Sequence, residues 1–306
     1  MSIGITHLTD PAAGPSGHRI AWLASDTEGI PLGSAFLRVL TRPGQEHLAE
    51  LEVRVHPSER RRGVGSRLLA SAVTAARGAG RRSVLACADA GSPGGRFLGT
   101  RGFRKVLALT YARLPLADAD PAALTRIVGR PHPGYRLLSW DGVVPDDLAM
   151  TFTASRRAMD DMPIGDMDYG TVHWDVARVR GVADAVVERG DILHTVAAVD
   201  ESDGSIVGFT EVVVPGDGCG DGQHYGTGVL PEHRGHGLGR WMKAASIQLT
   251  RERHPALSGL LTDTADANRY MRVINDELGY LPTRRTIEYQ LDLARLDPEE
   301  VDRALA

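Results

Sequence analysis

"VLPEHRGHGLGR", residues Val229 to Arg240, decides how this chain is read. Glycine stands at positions 235, 237 and 239, between the strand-like "HYGTGVL" and a helical pattern with Leu238, Met242, Ala245 and Leu249 on one face. A strand entering a tight glycine loop and then a helix leaves several backbone N–H groups without intrahelical partners, all aimed at one point. Their partial charge adds to the helix dipole and makes an anion site. Glycines keep Cβ atoms away, so a pyrophosphate can approach the backbone, and Arg234 at the loop entrance would add a cation. The spacing excludes two other phosphate motifs: a third glycine of G-x-G-x-x-G would fall on Arg240, and no G-K-[ST] is present.

"VHPSERRRGVGS", Val55 to Ser66, poses the same pattern 174 residues earlier (Arg234 minus Arg60), with Gly63 and Gly65 in the loop and Arg60 at its entrance. Working outward, the order of elements repeats. "HRIAWLASD", "GSAFLRVLTRP" and "HLAELEVRV" read as strands before the first loop, a helix with Val64, Leu68, Ala72 and Ala75 on one face follows it, and "RSVLACAD" and "RGFRKVLALTYARL" complete the set. In the second half "ILHTVAAVD", "SIVGFTEVVVP" and "HYGTGVL" precede the loop, and "LSGLLTD", "NRYMRVINDEL" and "TRRTIEYQLDL" follow its helix. The stretch from 117 to 133 loses apolar alternation and gains prolines, which suits a linker with one helical turn. Two tandem α/β domains are expected: 1–116, and 134–306 beyond the linker.

Composition bounds the rest. At 306 residues, 42% hydrophobic and 24% charged, the chain has the make-up of a globular protein large enough for two cores. A net charge of -4 gives no global attraction to nucleic acid or an anionic membrane. No apolar run approaches the roughly 20 residues of a spanning helix, and "MSIGITHLTD" lacks a basic leader and an apolar core. Two cysteines, Cys87 and Cys219, make neither a disulfide framework nor a thiolate metal site. The expectation is a cytoplasmic monomer or homodimer with no metal.

V-x-P-x-x-R-x-x-G-x-G before a helix resembles motif A of the GCN5-related N-acetyltransferases (GNAT), and it occurs here twice. The second copy also resembles their motif B, in "TDTADANRYMRVINDELGY" with Asn268 opening a helix and Gly279-Tyr280 closing it. The tandem order is similar to that of the mycothiol synthase branch of the family. The resemblance implies a mixed, mostly antiparallel sheet that splays open beside motif A and holds acetyl-CoA. Carried over residue by residue, Val229 would meet the pantetheine through its backbone, Arg234, Gly235, His236, Gly237, Leu238, Gly239 and Arg240 would cradle the phosphates, and Asn268 would contact the cofactor arm. In the first copy Val55, Arg60, Arg61, Arg62, Gly63, Val64, Gly65 and Ser66 take those places.

The copies are unequal. Two helices that wall the family's acceptor pocket have room in "DDLAMTFTASRRAMDD" and "WDVARVRGVADAVVERG", whereas the first half has 17 residues before His18. Its motif B, "DAGSPGGRFLGTRGF", offers no asparagine, and its glycines and proline make a poor helix start. The first half therefore reads as degenerate, still able to hold a nucleotide, and the second as the active domain.

Acetyl transfer from a thioester to an amine needs a base for the amine, donors for the oxyanion and an acid for the departing thiolate. The family's acid is often a tyrosine five residues before the closing aromatic; here that place holds Asn275, and Leu98 in the first half. Asn275 either hydrogen-bonds the sulfur or a water, or caps local structure. Gln223 stands where the family often has a basic glutamate, leaving Glu211 and His224 as candidate bases. In "MDDMPIGDMDYGTVHWD", Asp160, Asp161 and Asp166 would attract a cationic amine while Tyr169 and Trp174 cover its apolar part; the same stretch also suits a solvated loop that caps helices. The reading is an N-acetyltransferase acting on a small, cationic primary amine, the alternative a non-catalytic acyl-CoA-binding protein.

Overall fold

The computed structural model describes residues 2–9 and 17–295. In chain order it contains β1 (Gly4–Thr9), β2 (Gly17–Ser25), β3 (Pro31–Leu40), β4 (Leu48–Val55), α1 (Val64–Gly78), β5 (Ser83–Asp89), α2 (Pro93–Thr100), β6 (Arg104–Pro115), α3 (Pro121–Val128), β7 (Tyr135–Asp141), α4 (Ala149–Ser155), α5 (Val176–Glu188), β8 (Ile192–Asp200), β9 (Ile206–Val214), β10 (Gly220–Val229), α6 (Leu238–Arg253), β11 (Leu257–Ala265), α7 (Arg269–Glu277) and β12 (Leu281–Asp292). The mixed α/β class and the repeat follow the sequence reading. β1 and β7, which open the two copies, do not stand out from it.

The chain divides into two compact units, and neither is a continuous stretch. Unit 1 comprises Met1–Ala108, Ile164–His173 and Thr286–Ala306; unit 2 comprises Leu109–Pro163 and Trp174–Arg285. This differs from the expected 1–116 and 134–306, because strand alternation identifies strands but not their partners. Thr286–Asp292 of β12 pairs antiparallel with Ser83–Asp89 and buries Tyr289 and Leu291 in the core of unit 1. Leu109–Pro115 of β6 pairs antiparallel with β11 and buries Ala112 and Leu114 in unit 2. Each unit thus completes its sheet with a strand from the other half of the sequence.

Within unit 1 the strand order is β1-β2-β3-β4-β5-β12, and within unit 2 it is β6-β11-β10-β9-β8-β7. In each unit one pair is parallel, β4 with β5 and β10 with β11, and the other pairings between its strands are antiparallel. A parallel pair needs a crossover, and α1 or α6 supplies it. Successive residues of β9 show how unit 2 is layered: a Cβ on Gly208 would meet Met242 of α6, whereas Phe209 stacks edge-on against Phe152 of α4. Alternate residues face opposite sides of a sheet, so α6 covers one face and α4 the other.

Two expectations change. The expected linker carries α3, longer than one turn, started by Asp120 accepting from the Ala122 N–H at 2.9 Å and by Pro121 in the first turn. The poor helix start in the first motif B is α2: Ser92 caps it by accepting from Gly95 N–H, and Pro93 sits where a missing N–H costs nothing.

Candidate active site

The two glycine loops fold alike. Gly235 and Gly237 have φ of 84° and 75°, the left-handed region where a Cβ is strained. Gly237 is the N-cap of α6 and offers no side-chain cap, so the first N–H groups of this 16-residue helix remain open to an anion. Gly63 (φ 84°) caps α1 in the same bare way, and Arg61 (φ 65°) occupies the left-handed position that Gly235 fills in the second copy. Gly65 and Gly239 would meet a Cβ only at ordinary contact distance, and the buried Val64 and Leu238 anchor the first helical turns.

The motif arginines do not stand free at the loop entrances. Arg234 Nε donates to the Val229 carbonyl at 2.9 Å, and its terminal nitrogens hold both oxygens of Asp161 at 2.5 and 2.8 Å. Arg60 Nε donates to the Val55 carbonyl at 3.3 Å. Both therefore brace the loop against the strand before it. Arg240 pairs with Glu277 at 2.7 Å, Arg62 with Glu59 at 2.9 Å, and Ser66 accepts from Arg101 at 2.6 Å. The exposed His236 receives a hydrogen bond at its carbonyl from His132 Nδ1, 3.0 Å away, and His132 stacks on Trp241. Asn268 caps α7 by accepting from the Met271 N–H at 3.1 Å, which occupies its carbonyl oxygen.

Beside each loop the parallel strands part. β10 pairs with β11 through Gln223↔Leu261 and β4 with β5 through Leu51↔Ala86, leaving His224–Val229 and Glu52–Val55 unpaired on that side. A bulge at Tyr225 interrupts the pairing of β10 with β9 at the point where the sheet opens. In unit 1 the opening is a cleft of about 1040 Å³, lined by Val55, Arg60, Arg61, Gly63, Ser66 and Phe97 among others. The cleft agrees with the expectation that the first half could still hold a nucleotide.

Glu211, one candidate base, is committed elsewhere. Its two oxygens accept from Arg156 at 2.8 and 2.5 Å in a buried pair, with the guanidinium 4.4 to 4.9 Å from the rings of Phe152, Trp174 and Phe209. Withdrawing Glu211 to carry a proton would strand a buried cation, so the structure argues against its role as base. His224 is buried on β10 with neither ring nitrogen partnered among the described residues. Burial, and then the charge of Lys243, hold its pKa well below the usual imidazole range, so it is neutral and its protonated form is disfavoured.

Asn275 is buried on α7, accepts from Lys243 Nζ at 2.5 Å and donates to Thr264 Oγ1 at 3.0 Å. Lys243 escaped the sequence reading. Burial brings its pKa down to about 7, and its ammonium lies 4.7 Å from the Tyr280 ring centroid. The signal available was its place in the repeat, opposite Leu69.

The acidic stretch is not one site. Asp166 and Tyr169 belong to unit 1, where Asp166 N–H donates to the Val106 carbonyl at 3.0 Å and Tyr169 packs against Leu40, Leu48 and Leu85. Asp161 is taken by Arg234, and Trp174 lies over Arg156 and Arg178. Asp160 alone of the named residues stays exposed in unit 2 without such a tie. In the same unit Gly228 lets the wall approach the opened strand: a Cβ there would come within 3.0 Å of Ala158 and Met159.

This arrangement of a parting parallel pair, a bare helix start and a left-handed glycine, present twice, agrees with comparison to known proteins. The model of the acetyltransferase (GNAT) family matches residues 7–103 and 169–273. The chain belongs to the GNAT acetyltransferase family. This GNAT chain is 29% identical over 278 residues to a mycothiol acetyltransferase of Thermobifida fusca, covering 88% of this chain and 81% of the relative. It is 30% identical over 233 residues to one from Stackebrandtia nassauensis, covering 74% and 69%. Among solved structures, a tandem GNAT protein from the clavulanic acid biosynthesis pathway aligns with TM-score 0.73 and 25% identity, covering 93% of this chain and 86% of that one. A GNAT from Sphaerobacter thermophilus shares the fold, with TM-score 0.69 and 16% identity. The protein is an acetyltransferase, and among the described residues no helix is long and apolar enough to cross a membrane.

Proposed function

We propose that unit 2 transfers an acetyl group from acetyl-CoA to the primary amine of a small acceptor. The observation that carries this is the pair α4 and α5, which stand between β7 and β8 and pack on β8 and β9 of the sheet that opens at β10. The connection from β7 to β8 has 50 residues (142–191), whereas that from β1 to β2 has seven (10–16). An acceptor wall fixes the amine in line with the thioester, and a held nucleophile gains a large effective molarity. The bare start of α6 takes the pyrophosphate and the unpaired edge of β10 at Val229 takes the pantetheine; of the two candidate bases His224 is the one free of an ion pair, and as a neutral imidazole it passes the amine's proton on to solvent and does not keep it. With Asp161 neutralised and Asp166 in the other unit, the acidic stretch gives no argument for a cationic acceptor beyond the amine itself.

The cleft of about 1040 Å³ in unit 1 favours a second, non-transferring acyl-CoA or nucleotide there. Family membership speaks against the purely non-catalytic alternative. The test is thiol release from acetyl-CoA against a panel of primary amines, opening with the mycothiol series for which the relatives are named. Release that no amine accelerates would refute the proposal.

A further inference from the structure

The chain has 35 lysines and arginines, and only Lys105 and Lys243 are lysines. One of this pair lies at 1% exposure, in the place of the repeat where the first copy has Leu69 at 0% (Lys243 minus 174). The same exchange occurs twice more, Asn275 for Leu98 and Tyr280 for Phe103, both buried in the apolar core of unit 1. Three core positions that apolar side chains fill well in one copy are polar in the other. A buried ammonium without a hydrogen-bonded carboxylate is costly, so these side chains serve something other than packing.

The cluster has a direction. Lys243 Nζ donates to Asn275 Oδ1, and Asn275 Nδ2 donates to Thr264 Oγ1. Thr264 on β11 and His224 on β10 both lie past the last paired residues, Leu261 and Gln223, on the two lips of the opening. The Tyr280 hydroxyl and both His224 ring nitrogens are buried with no partner among the described residues, and the two rings are 5.9 Å apart. The polar groups therefore run from Lys243 to the edges of the cleft and leave unused hydrogen-bonding capacity there.

We infer that Lys243 is the proton donor for the thiolate that leaves during acetyl transfer in unit 2, an inference that rests on the reading above. As the acceptor nitrogen forms its bond to the acetyl carbon, the C–S bond breaks and its electron pair passes to sulfur. The Lys243 ammonium gives up a proton, forming S–H and a neutral amine. The proton shed by the acceptor nitrogen restores the ammonium through the His224 imidazole or solvent. Arginine could not serve, because it does not deprotonate in proteins. A lysine with a pKa of about 7 both holds and releases a proton near neutrality. The titratable groups facing it are His224 on β10, Tyr280 after α7 and Asp263 on β11; Asp263 favours its charged form, and Arg284 in turn acts on Asp263.

Lysine-selective 15N labelling leaves two side-chain signals, and Lys105→Arg identifies that of Lys243. The expected Lys243 midpoint lies near pH 7 in the free protein and is little changed by acetyl-CoA, which carries no charge at its thioester. With an amine that the parent enzyme acetylates, Lys243→Met should lower kcat at least about tenfold at pH 7, keep KM for acetyl-CoA within about threefold, and abolish the fall of kcat above neutrality. A thermal melt establishes that the variant is folded. Parental kcat in folded Lys243→Met, or a fall of kcat above neutrality that persists in that variant, would overturn the inference. Failure of acetyl-CoA to bind unit 2 would instead refute the acetyl-transfer reading, and this inference with it.

Discussion

Lys243→Met is expected to stabilise the fold at pH 6 and to lose that advantage in alkali. The lysine's pKa falls from 10.5 to about 7 on folding. That difference of about 3.5, at 1.36 kcal/mol each, is a penalty on the order of 5 kcal/mol for keeping the ammonium inside. Between pH 7 and 10.5 the folded chain binds fewer protons at this site than the unfolded chain, so parental stability rises with pH across that window, and below pH 7 the full penalty is present. Methionine fills a similar volume without charge but leaves Asn275 Oδ1 without its donor, a loss of about 1–3 kcal/mol. The balance is a gain on the order of 2–4 kcal/mol at pH 6, shrinking above neutrality and reversing at about pH 8–10. Urea unfolding of parent and variant from pH 6 to 10 measures it. A difference that does not change with pH, or a variant less stable at pH 6, would show that the ammonium is not desolvated as the structure implies.

Gly237→Val should weaken acetyl-CoA binding to unit 2 at least about tenfold, or 1.4 kcal/mol, because the added side chain strains a φ of 75° and lies at the helix start; calorimetric titration of folded protein measures it, and unchanged affinity would exclude the loop as the phosphate site. Gly63→Val with Gly65→Val should leave kcat within about threefold, whereas Gly235→Val with Gly237→Val abolishes it; loss of turnover from the first pair in a normally melting protein would move the active site to unit 1. Glu211→Ala should destabilise unit 2 by about 3–5 kcal/mol, since it strands the Arg156 guanidinium among aromatic rings. If Glu211→Ala instead melts like the parent and loses turnover at every pH, Glu211 is the base after all. Asn275→Ala should depress kcat less than Lys243→Met does, because it removes an acceptor for the ammonium and not the proton, and steady-state kinetics of the two variants decides the order.

The glycine loops and the succession of elements along the chain, β1 and β7 excepted, were legible in the sequence because each depends on neighbours a few residues apart; the wall helices were expected from the family resemblance. Glycine spacing dictates where the backbone turns left-handed, and apolar periodicity dictates which face of α1 or α6 is buried. What each charged side chain does was not legible. Arg234 and Asp161, or Arg156 and Glu211, are far apart in sequence, and only the packing of α4 and the short helical turn at Arg156–Met159 against β9 and β10 turns three candidate site residues, Arg234, Asp161 and Glu211, into members of ion pairs. Strand partners were hidden for the same reason: the alternation in β6 and β12 says that each is a strand with one buried face, and it is the same alternation whichever sheet receives it. Lys243 is the sharpest case. By type a lysine belongs on the surface, and only the closing of α6 against α7 and Tyr280 removes it from water and makes its charge negotiable near neutral pH.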